Sequence, residues 1–212
     1  MSTANRPGTP LEDPRASLSL LDYRRRVADI YREVRGLEAA AGHALWLERR
    51  NDLFSTHPQS PVPPEQRGSF SGLKVFSYDP ALRVEAAVTP TTPSRLEIPH
   101  SGEGTTPARA FGSVEFEVGG MACRLTLYWL DEYGGGVFLP LRDATSGTET
   151  YGSGRYLLDG AKGADLGSDA TSIVLDFNFA YHPSCVYDAR WSCPLAPPQN
   201  RLDAAIRGGE HL

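Results

Sequence analysis

The chain has 212 residues, of which 40% are hydrophobic and 22% charged, as is typical of soluble globular proteins with one domain and a substantial core. Its net charge of −5 argues against nucleic acid as a partner, because nucleic-acid-binding proteins carry a basic patch or stripe. No apolar run approaches the ~20 residues of a membrane helix, so no membrane partner is expected. Three cysteines are too few for a disulfide scaffold, and we expect a cytoplasmic protein.

The first part of the chain predicts a disordered segment followed by two helices. Residues 1–16 are rich in Pro, Thr and Ser and lack the apolar centre of a signal peptide, so they are predicted to be disordered. A helical appendage is predicted over residues 17–57. Its first helix spans residues 20–35 with Ser19 as N-cap, and its second spans residues 38–54. In the second helix, the predicted buried residues are Trp46, Leu53 and Phe54, and the predicted exposed residues are Glu48, Arg49 and Arg50.

Residues 58–212 are predicted to form a β-rich domain. Apolar residues alternate with polar ones over 82–88, 114–118 and 123–129, a period typical of strands. Gly119-Gly120 between the last two runs predicts a tight hairpin. Further strands are predicted at 137–141, 155–158 and 173–177, with loops at 89–109 and 159–171. The fold class is therefore α+β, mainly an antiparallel β barrel or sandwich with two N-terminal helices, which pack on the sheet or form a homodimer.

Two polar segments next to apolar runs, 142–156 and 175–185, predict a site at the strand ends. Pocket walls and buried hydrogen-bond networks need such groups, whereas surface loops do not. The candidates for proton transfer are His182, Asp176 and Glu149, because tuned carboxyl and imidazole groups carry protons near neutral pH. The candidates for substrate binding are Arg142, Asp143, Ser146, Tyr151, Arg155, Asn178, Tyr181 and Arg201.

Several alternatives to this site stay open at the level of sequence. Asp143 and Arg155 can form an internal ion pair instead of binding a substrate. His182, Cys185 and Cys193 offer three soft ligands for zinc, although their spacing matches no standard zinc module. No serine lies in a G-x-S-x-G elbow, and no dinucleotide fingerprint is present. Cys123 is predicted to lie in the core, and residues 193–202 form a proline-rich strap across the sheet.

The motifs resemble the DUF1684 family. The resemblance rests on residues 142–147, 149–152, 154–157 and 175–178, on Ala180-Tyr181, Pro183 and Cys185, on Cys193-Pro194-Leu195 and Asn200-Arg201-Leu202, and upstream on residues 57–61 and 78–80. It covers most of residues 20–210 and implies a bacterial or archaeal protein, mostly β, with one domain. The family brings no known function.

Four positions depart from the family pattern. The chain has Thr148 where Lys is usual, Phe179 where Arg or Lys is usual, His182 where Asn is usual and Gln199 where Glu is usual. All four lie in the polar segments or the strap, which suggests a specialised relative whose pocket accepts a less charged molecule, for example in secondary metabolism. The other interpretation is a relative that has lost its ancestral activity.

The sequence therefore favours a small-molecule enzyme that uses acid–base chemistry without a cofactor. In this hypothesis Arg142 and Arg155 orient an oxygen anion, while His182 moves a proton together with Asp176 or Glu149. The alternative is a non-catalytic β-barrel protein that binds a ligand, a flavin or a metal such as zinc. A third class is an interaction protein in which the two helices form the dimer or partner surface.

Overall fold

Two helices open the described chain, which in this computed structural model comprises residues 13–131 and 133–212. They are α1 (Pro14–Val34) and α2 (Ala39–Thr56). Asp13 caps α1 by accepting a hydrogen bond from the Arg15 N–H, and Pro14 fills the first helical position, where no N–H is needed. The predicted Ser19 cap is therefore wrong. Residues 14–16 of the segment predicted to be disordered are helical, and residues 1–12 lie outside the described part.

The helices pack on each other and on the β domain. The Trp46 Nε1–H donates a 3.1 Å hydrogen bond to Tyr31 Oη between α2 and α1. The ring of Phe179, which follows the last strand, lies 5.3 Å from the Trp46 ring. The predicted span of α2 agrees with the structure, but the prediction that Arg50 is exposed is wrong, because Arg50 is 6% exposed. No helix among the described residues is long and apolar enough to cross a membrane.

One curled antiparallel sheet of six strands, a half-barrel, forms the β domain and confirms the α+β prediction. The strands are β1 (Arg83–Pro99), β2 (Thr105–Val118), β3 (Met121–Leu130), β4 (Gly136–Leu141), β5 (Arg155–Asp159) and β6 (Ser172–Asp176). Their order is β5-β4-β3-β2-β1-β6. Gly119 and Gly120, with φ of 57° and 79°, make the predicted hairpin between β2 and β3. Cys123 is buried in the core as predicted.

The prediction of a loop over residues 89–109 is wrong. β1 continues to Pro99, and its residues 94–99 pair with residues 105–110 of β2 after a register shift that follows Pro90. β6 pairs only with residues 83–87 of β1, so the outer half of β1 has one unpaired edge. A proline has no N–H to donate. On a strand edge without a partner strand no hydrogen bond is lost, so this Pro- and Thr-rich stretch can remain a strand.

The curl of the sheet brings the two polar segments together. Tyr156 in β5 and Tyr181 beyond β6 exchange reciprocal backbone hydrogen bonds of 2.9 Å, which connect the two ends of the sheet. The C-terminal residues then pass between these segments, and the Glu210 N–H donates to the Ala180 carbonyl. Gly209 has a φ of 75° and lies against the backbone of Ala180, where a side chain would collide. Glu210 is consequently 1% exposed.

Candidate functional site

A small chamber of about 60 Å³ lies where α1 and α2 meet β5 and the segment 181–184. Tyrosine side chains form much of its wall, namely Tyr23, Tyr31, Tyr156 and Tyr181. The polar groups on its lining come from Arg50, Lys162, His182 and Ser184. Aromatic walls with a few convergent polar groups are typical of small-molecule sites.

An outer cleft of about 230 Å³ adjoins the chamber beside α1. Both spaces are lined by Tyr23, Val27, Pro61, Lys162 and Ser184. The cleft adds residues of the strap, including Trp191 and Cys193. Lys162 is half-exposed and lies 3.1 Å from the Asp159 carboxylate, so it places a positive charge at the passage between the two spaces.

A groove elsewhere on the surface is larger but has little chemistry. It measures about 500 Å³ and is lined largely by glycines and backbone, such as residues 134–136, 160 and 163. Its charged residues, Arg35 and Asp165, already pair with each other at 3.2 Å. The chamber and cleft are therefore the stronger candidate site.

Arg50 is the main charged group of the chamber wall. Its guanidinium lies 4.8 Å from the ring centroid of Tyr181 and 4.9 Å from those of Trp46 and Phe54. Its Nη2 donates a 2.5 Å hydrogen bond to Glu210, whereas its buried Nε has no hydrogen-bond partner. Burial is the largest single effect and lowers the pKa of Arg50, but the Glu210 carboxylate and the nearby tyrosines together raise the pKa overall. The side chain is thus charged, ringed by aromatic faces and incompletely paired.

Glu210 is held by donors from three parts of the chain. One carboxylate oxygen, Oε1, accepts from Arg50, and the other, Oε2, accepts from the His182 N–H at 2.8 Å and from Tyr187 Oη at 2.7 Å. A buried carboxylate is tolerated only when charges and hydrogen bonds compensate its lost hydration. Glu210 therefore connects α2, the segment after β6 and the C-terminal end of the chain.

His182 is buried beside this carboxylate and is neutral at pH 7. Burial lowers the pKa of His182 to about 4, a shift that Glu210 opposes. Its Nε2 accepts a 3.3 Å hydrogen bond from the Tyr151 N–H, which assigns the proton to Nδ1. That nitrogen lies 3.8 Å from Glu210 Oε2. His182 and Glu210 thus form the imidazole–carboxylate pair of the chamber.

Arg155, a predicted anion-binding residue, is fully engaged inside the protein. Its Nη2 donates to Asp143 at 2.7 Å and to the Ile206 carbonyl at 2.8 Å. Its Nη1 donates to the carbonyls of Gly208 and Glu210 at 2.5 and 3.1 Å. Asp143 also accepts from the Thr145 N–H at 2.7 Å. The alternative of an internal Asp143–Arg155 ion pair is therefore what the structure has, and it anchors the C-terminal residues.

The other predicted proton carriers lie apart from His182. Asp176 accepts from the Asn178 N–H and side-chain amide at 3.1 and 2.8 Å, and Arg83 is its cation at 3.8 Å. Asn178 also binds the backbone of Asp79. Glu149 pairs at 2.9 Å with Arg207 on the surface. The structure brings neither carboxylate to His182, and Glu210 takes that position.

Of the remaining predicted binding residues, some make structural contacts and others lie at or near the chamber. Arg142 has its Nε buried without a partner, and its backbone pairs with the strap at Asn200 and Leu202. Ser146 Oγ accepts from the Asp143 N–H at 3.1 Å within a turn, and Arg201 is exposed. Tyr181 lines the chamber, and Tyr151 Oη lies 4.0 Å from Cys185 Sγ.

In the described residues, the three ligands predicted for a zinc site do not form one. Among residues 13–131 and 133–212, no three His, Cys, Asp or Glu side chains are arranged to hold a metal ion. His182 is engaged with Tyr151 and Glu210, whereas the Cys185 thiol lies 4.0 Å from Tyr151 Oη. All three cysteines are free thiols.

Comparison with known proteins identifies the family. A family model described as "Protein of unknown function (DUF1684)" matches residues 68–211. The chain belongs to the DUF1684 family. It is also similar to the solution NMR structure of the uncharacterized protein from gene locus rrnAC0354 of Haloarcula marismortui, with 37% identity, a TM-score of 0.57, and coverage of 78% of this chain and 90% of that chain. No curated protein matches.

The DUF1684 match includes one side of the chamber but not the other. Tyr156, Tyr181, His182 and Glu210 lie inside the matched residues, whereas α1 and α2, which bring Arg50, precede them. Of the four departures from the family pattern, Thr148 and Gln199 are exposed in this structure. Phe179 and His182, the other two departures, are buried.

Sequence reasoning missed Arg50 and Glu210 for different reasons. Arg50 lies four residues after Trp46 and four before Phe54, so helical spacing places it on the buried face of α2. The charge of Arg50 favoured an exposed position, whereas its helical spacing indicates a buried one. Glu210 follows two glycines at the end of the chain, and no local pattern there indicates a buried carboxylate.

Proposed function

We propose that this DUF1684 protein binds a small planar organic acid in the cleft, with the acid group directed into the chamber. The observation that carries the proposal is the incompletely paired guanidinium of Arg50 on a chamber wall made largely of tyrosines. Guanidinium groups prefer carboxylates, and aromatic faces accommodate flat apolar bodies. Lys162 at the passage adds a second positive charge.

The dimensions favour a molecule that uses both spaces. Ligand pockets usually start at about 300 Å³, which exceeds either space alone. The chamber, at about 60 Å³, can take an acid group but not a whole ring. The outer cleft, at about 230 Å³, can take the body of a small molecule. A single acid group also fits the hypothesis, drawn from the family departures, of a less charged ligand.

We extend the proposal to acid–base chemistry, with His182 as the proton carrier and Glu210 as its partner. A neutral imidazole can accept a proton, and the adjacent carboxylate would stabilise the imidazolium that results. The 3.8 Å separation between Nδ1 and Glu210 Oε2 supports this pairing. The Tyr151 N–H donates to the lone pair of Nε2, so a substrate must displace that hydrogen bond before His182 can accept a proton there.

The test is an NMR titration of the full chain with benzoate as the probe and benzyl alcohol as the neutral control. We expect benzoate to shift backbone amide signals from residues 20–31, 50, 162, 181, 182 and 184 at millimolar concentration, and the alcohol to leave them unchanged. A Lys162→Gln variant should weaken benzoate binding about threefold or more, because it removes about 1 kcal/mol of screened attraction.

Lys74→Gln is the matched control, because it removes the same charge from an exposed position on another part of the chain. It should leave benzoate binding unchanged. If both lysine substitutions weaken benzoate binding equally, the effect comes from net charge and not from the position of Lys162. Shifts that map away from the cleft, or no shifts at all, would contradict the proposed acid site.

A further inference from the structure

Two buried side-chain donors without a hydrogen-bond partner belong to residues that line the chamber and the cleft. One is the Nε of Arg50 in the chamber, and the other is the indole Nε1 of Trp191 in the outer cleft. The other buried side-chain atoms without a partner among the described residues lie on residues that line neither space, namely Ser19, His43, Thr91 and Arg142. Unpaired buried donors are rare in native proteins, so their presence in two adjoining spaces is best explained by a ligand that supplies acceptors.

The polar chemistry of the Trp191 side chain is limited to this one N–H. An indole N–H can donate a hydrogen bond but cannot accept one, and a buried tryptophan usually has a partner for it. Two polar side chains that share the cleft bond elsewhere: Gln59 Nε2 donates to the Ala16 carbonyl at 3.4 Å, and Ser192 Oγ donates to the Glu103 carbonyl at 2.9 Å. The Trp191 donor is therefore left for an acceptor that a bound molecule brings.

The turn that carries Trp191 is anchored on both sides of the ring. Before it, the guanidinium of Arg190 lies 5.1 Å from the Trp191 ring centroid, and its Nη2 donates to the Ser60 carbonyl at 3.3 Å. After it, the Cys193 N–H donates to Ser101 Oγ at 3.1 Å. The indole is thus held in a defined position, which reduces the entropic cost of using it as a binding group.

We propose that Trp191 determines the specificity of the cleft by donating its indole N–H to an acceptor on the body of the ligand. The inference rests on the proposed organic-acid site. It narrows the substrate class to planar acids that carry a second acceptor, such as a carbonyl oxygen, at the end away from the acid group. An acid without that acceptor leaves the donor unpaired, and sites built to hydrogen-bond one group discriminate strongly against analogues that lack it.

The lining residues indicate the order of groups along the ligand. Arg50 lines the chamber but not the cleft, Trp191 lines the cleft but not the chamber, and Lys162 lines both. An acid group in the chamber therefore leaves the opposite end of the molecule in the cleft. A benzoate with an acceptor in the para position has this order of groups.

The test compares two para-substituted benzoates of equal charge and nearly equal size. para-Acetylbenzoate carries a carbonyl acceptor, and para-isopropylbenzoate has a methyl group in place of that oxygen. We expect the full chain to bind the acetyl compound about three- to tenfold more tightly, the range expected for one net hydrogen bond. Burial of apolar surface alone predicts the opposite order, because the isopropyl group is more hydrophobic.

A substitution that removes only the donor tests the residue itself. Trp191→Phe keeps an aromatic ring, so it should abolish or reverse the preference for the acetyl compound. Trp129→Phe is the matched control and should retain the preference, because Trp129 is a half-exposed tryptophan of β3 that lines neither space. The measured quantity is the ratio of the two dissociation constants within each variant, in which a general weakening of binding cancels. A preference that persists in Trp191→Phe would overturn the proposal.

The indole N–H signals in the NMR spectrum provide a readout in the wild type, without any substitution. The chain has three tryptophans, and the Trp46 N–H already donates to Tyr31 Oη, so its signal serves as a reference. We expect para-acetylbenzoate to move the Trp191 indole signal downfield, as happens when an N–H gains an acceptor. para-Isopropylbenzoate should move it much less.

Failure of this inference and failure of the organic-acid site give different results. If both benzoates shift the chamber amides, bind equally and affect the Trp191 indole signal alike, the acid site stands and the role of Trp191 is overturned. If neither compound shifts those amides, the acid site fails and the inference fails with it.

Discussion

Two buried arginines, Arg155 and Arg50, face the same C-terminal residues but are treated differently by the fold. Arg155 donates from both Nη atoms to a carboxylate and three carbonyls. Arg50 donates from Nη2 to Glu210, rests on three aromatic rings and leaves Nε without a partner. Both positive charges are compensated, but only the hydrogen bonds of Arg155 extend to four separate acceptors.

This difference separates structural chemistry from candidate functional chemistry. A saturated network rigidifies a core and has no capacity left for a ligand. A buried donor without a partner is uncommon in native proteins and calls for an explanation such as an absent ligand. The Arg155 side therefore holds the chain end in place, whereas the Arg50 side holds the space in which a molecule can bind.

The largest effect is expected from Arg155→Met. This change leaves Asp143 without its cation and three backbone carbonyls without their donor, so it should destabilise the protein by about 3–5 kcal/mol. The free energy of unfolding in urea measures this effect. Arg207→Met is the matched control, because it breaks an exposed pair with Glu149 and should leave the free energy of unfolding close to that of the wild type. Equal costs at the two positions would show that the network is not structural.

A smaller effect is expected from Arg50→Met, about 3 kcal/mol, because Glu210 keeps two other hydrogen-bond donors. Adding Glu210→Gln should recover part of this loss, since a neutral amide needs no cation. The urea midpoints of the two single variants and the double variant measure the coupling between the residues. The benzoate titration provides the second measurement, because Arg50→Lys should fold but bind the acid more weakly. If the free-energy changes of the two single variants simply add in the double variant, Arg50 and Glu210 are not coupled.

The sequence was most informative where a pattern is local. The hairpin at Gly119-Gly120, the alternation in β2 and β3 and the span of α2 depend on neighbouring residues, and all are found in the structure. The extension of β1 to Pro99 was missed, because a proline-rich strand depends on which edge its partner leaves free. The start of α1 was also missed, although Asp13-Pro14 is a recognisable cap.

The candidate site was predictable only in part. His182 and Tyr181 were named from the polar segment, and both line the chamber. Their partners Arg50 and Glu210 are 132 and 28 residues from His182 in the chain, and only the folded topology brings them together. Asp176, which is only 6 residues from His182 in the sequence, and Glu149, which shares the polar segments with it, pair with other residues. Closeness in sequence was therefore a poor guide to charge pairing.

The smallest predicted effect is the pH dependence of stability, which tests whether the chamber beside Arg50 differs from the ion pair of Arg155. Because burial lowers the pKa of His182 to about 4 in the folded protein, the unfolded chain, with a histidine pKa near 6.5, binds a proton first as the pH falls. Stability contributed by the neutral imidazole is therefore complete above pH ~6.5 and decreases as the pH falls toward ~4. The titratable groups around the ring are Glu210, Arg155, Arg50 and His211; Glu210 raises the pKa of His182, whereas Arg155 and Arg50 lower it and so favour the neutral imidazole.

The expected loss between pH 7 and pH 4.5 is about 2–3 kcal/mol more in the wild type than in His182→Asn, which cannot titrate. Carboxylates elsewhere contribute equally to both proteins, so the difference between their urea-unfolding curves isolates the imidazole. Parallel curves for the wild type and His182→Asn would mean that folding does not lower the pKa of His182. A wild type that instead gains stability relative to His182→Asn as the pH falls would mean that His182 is protonated beside Glu210 in the folded state. The chamber would then hold a settled ion pair like that of Arg155, and its imidazole could not serve as the neutral proton acceptor proposed here.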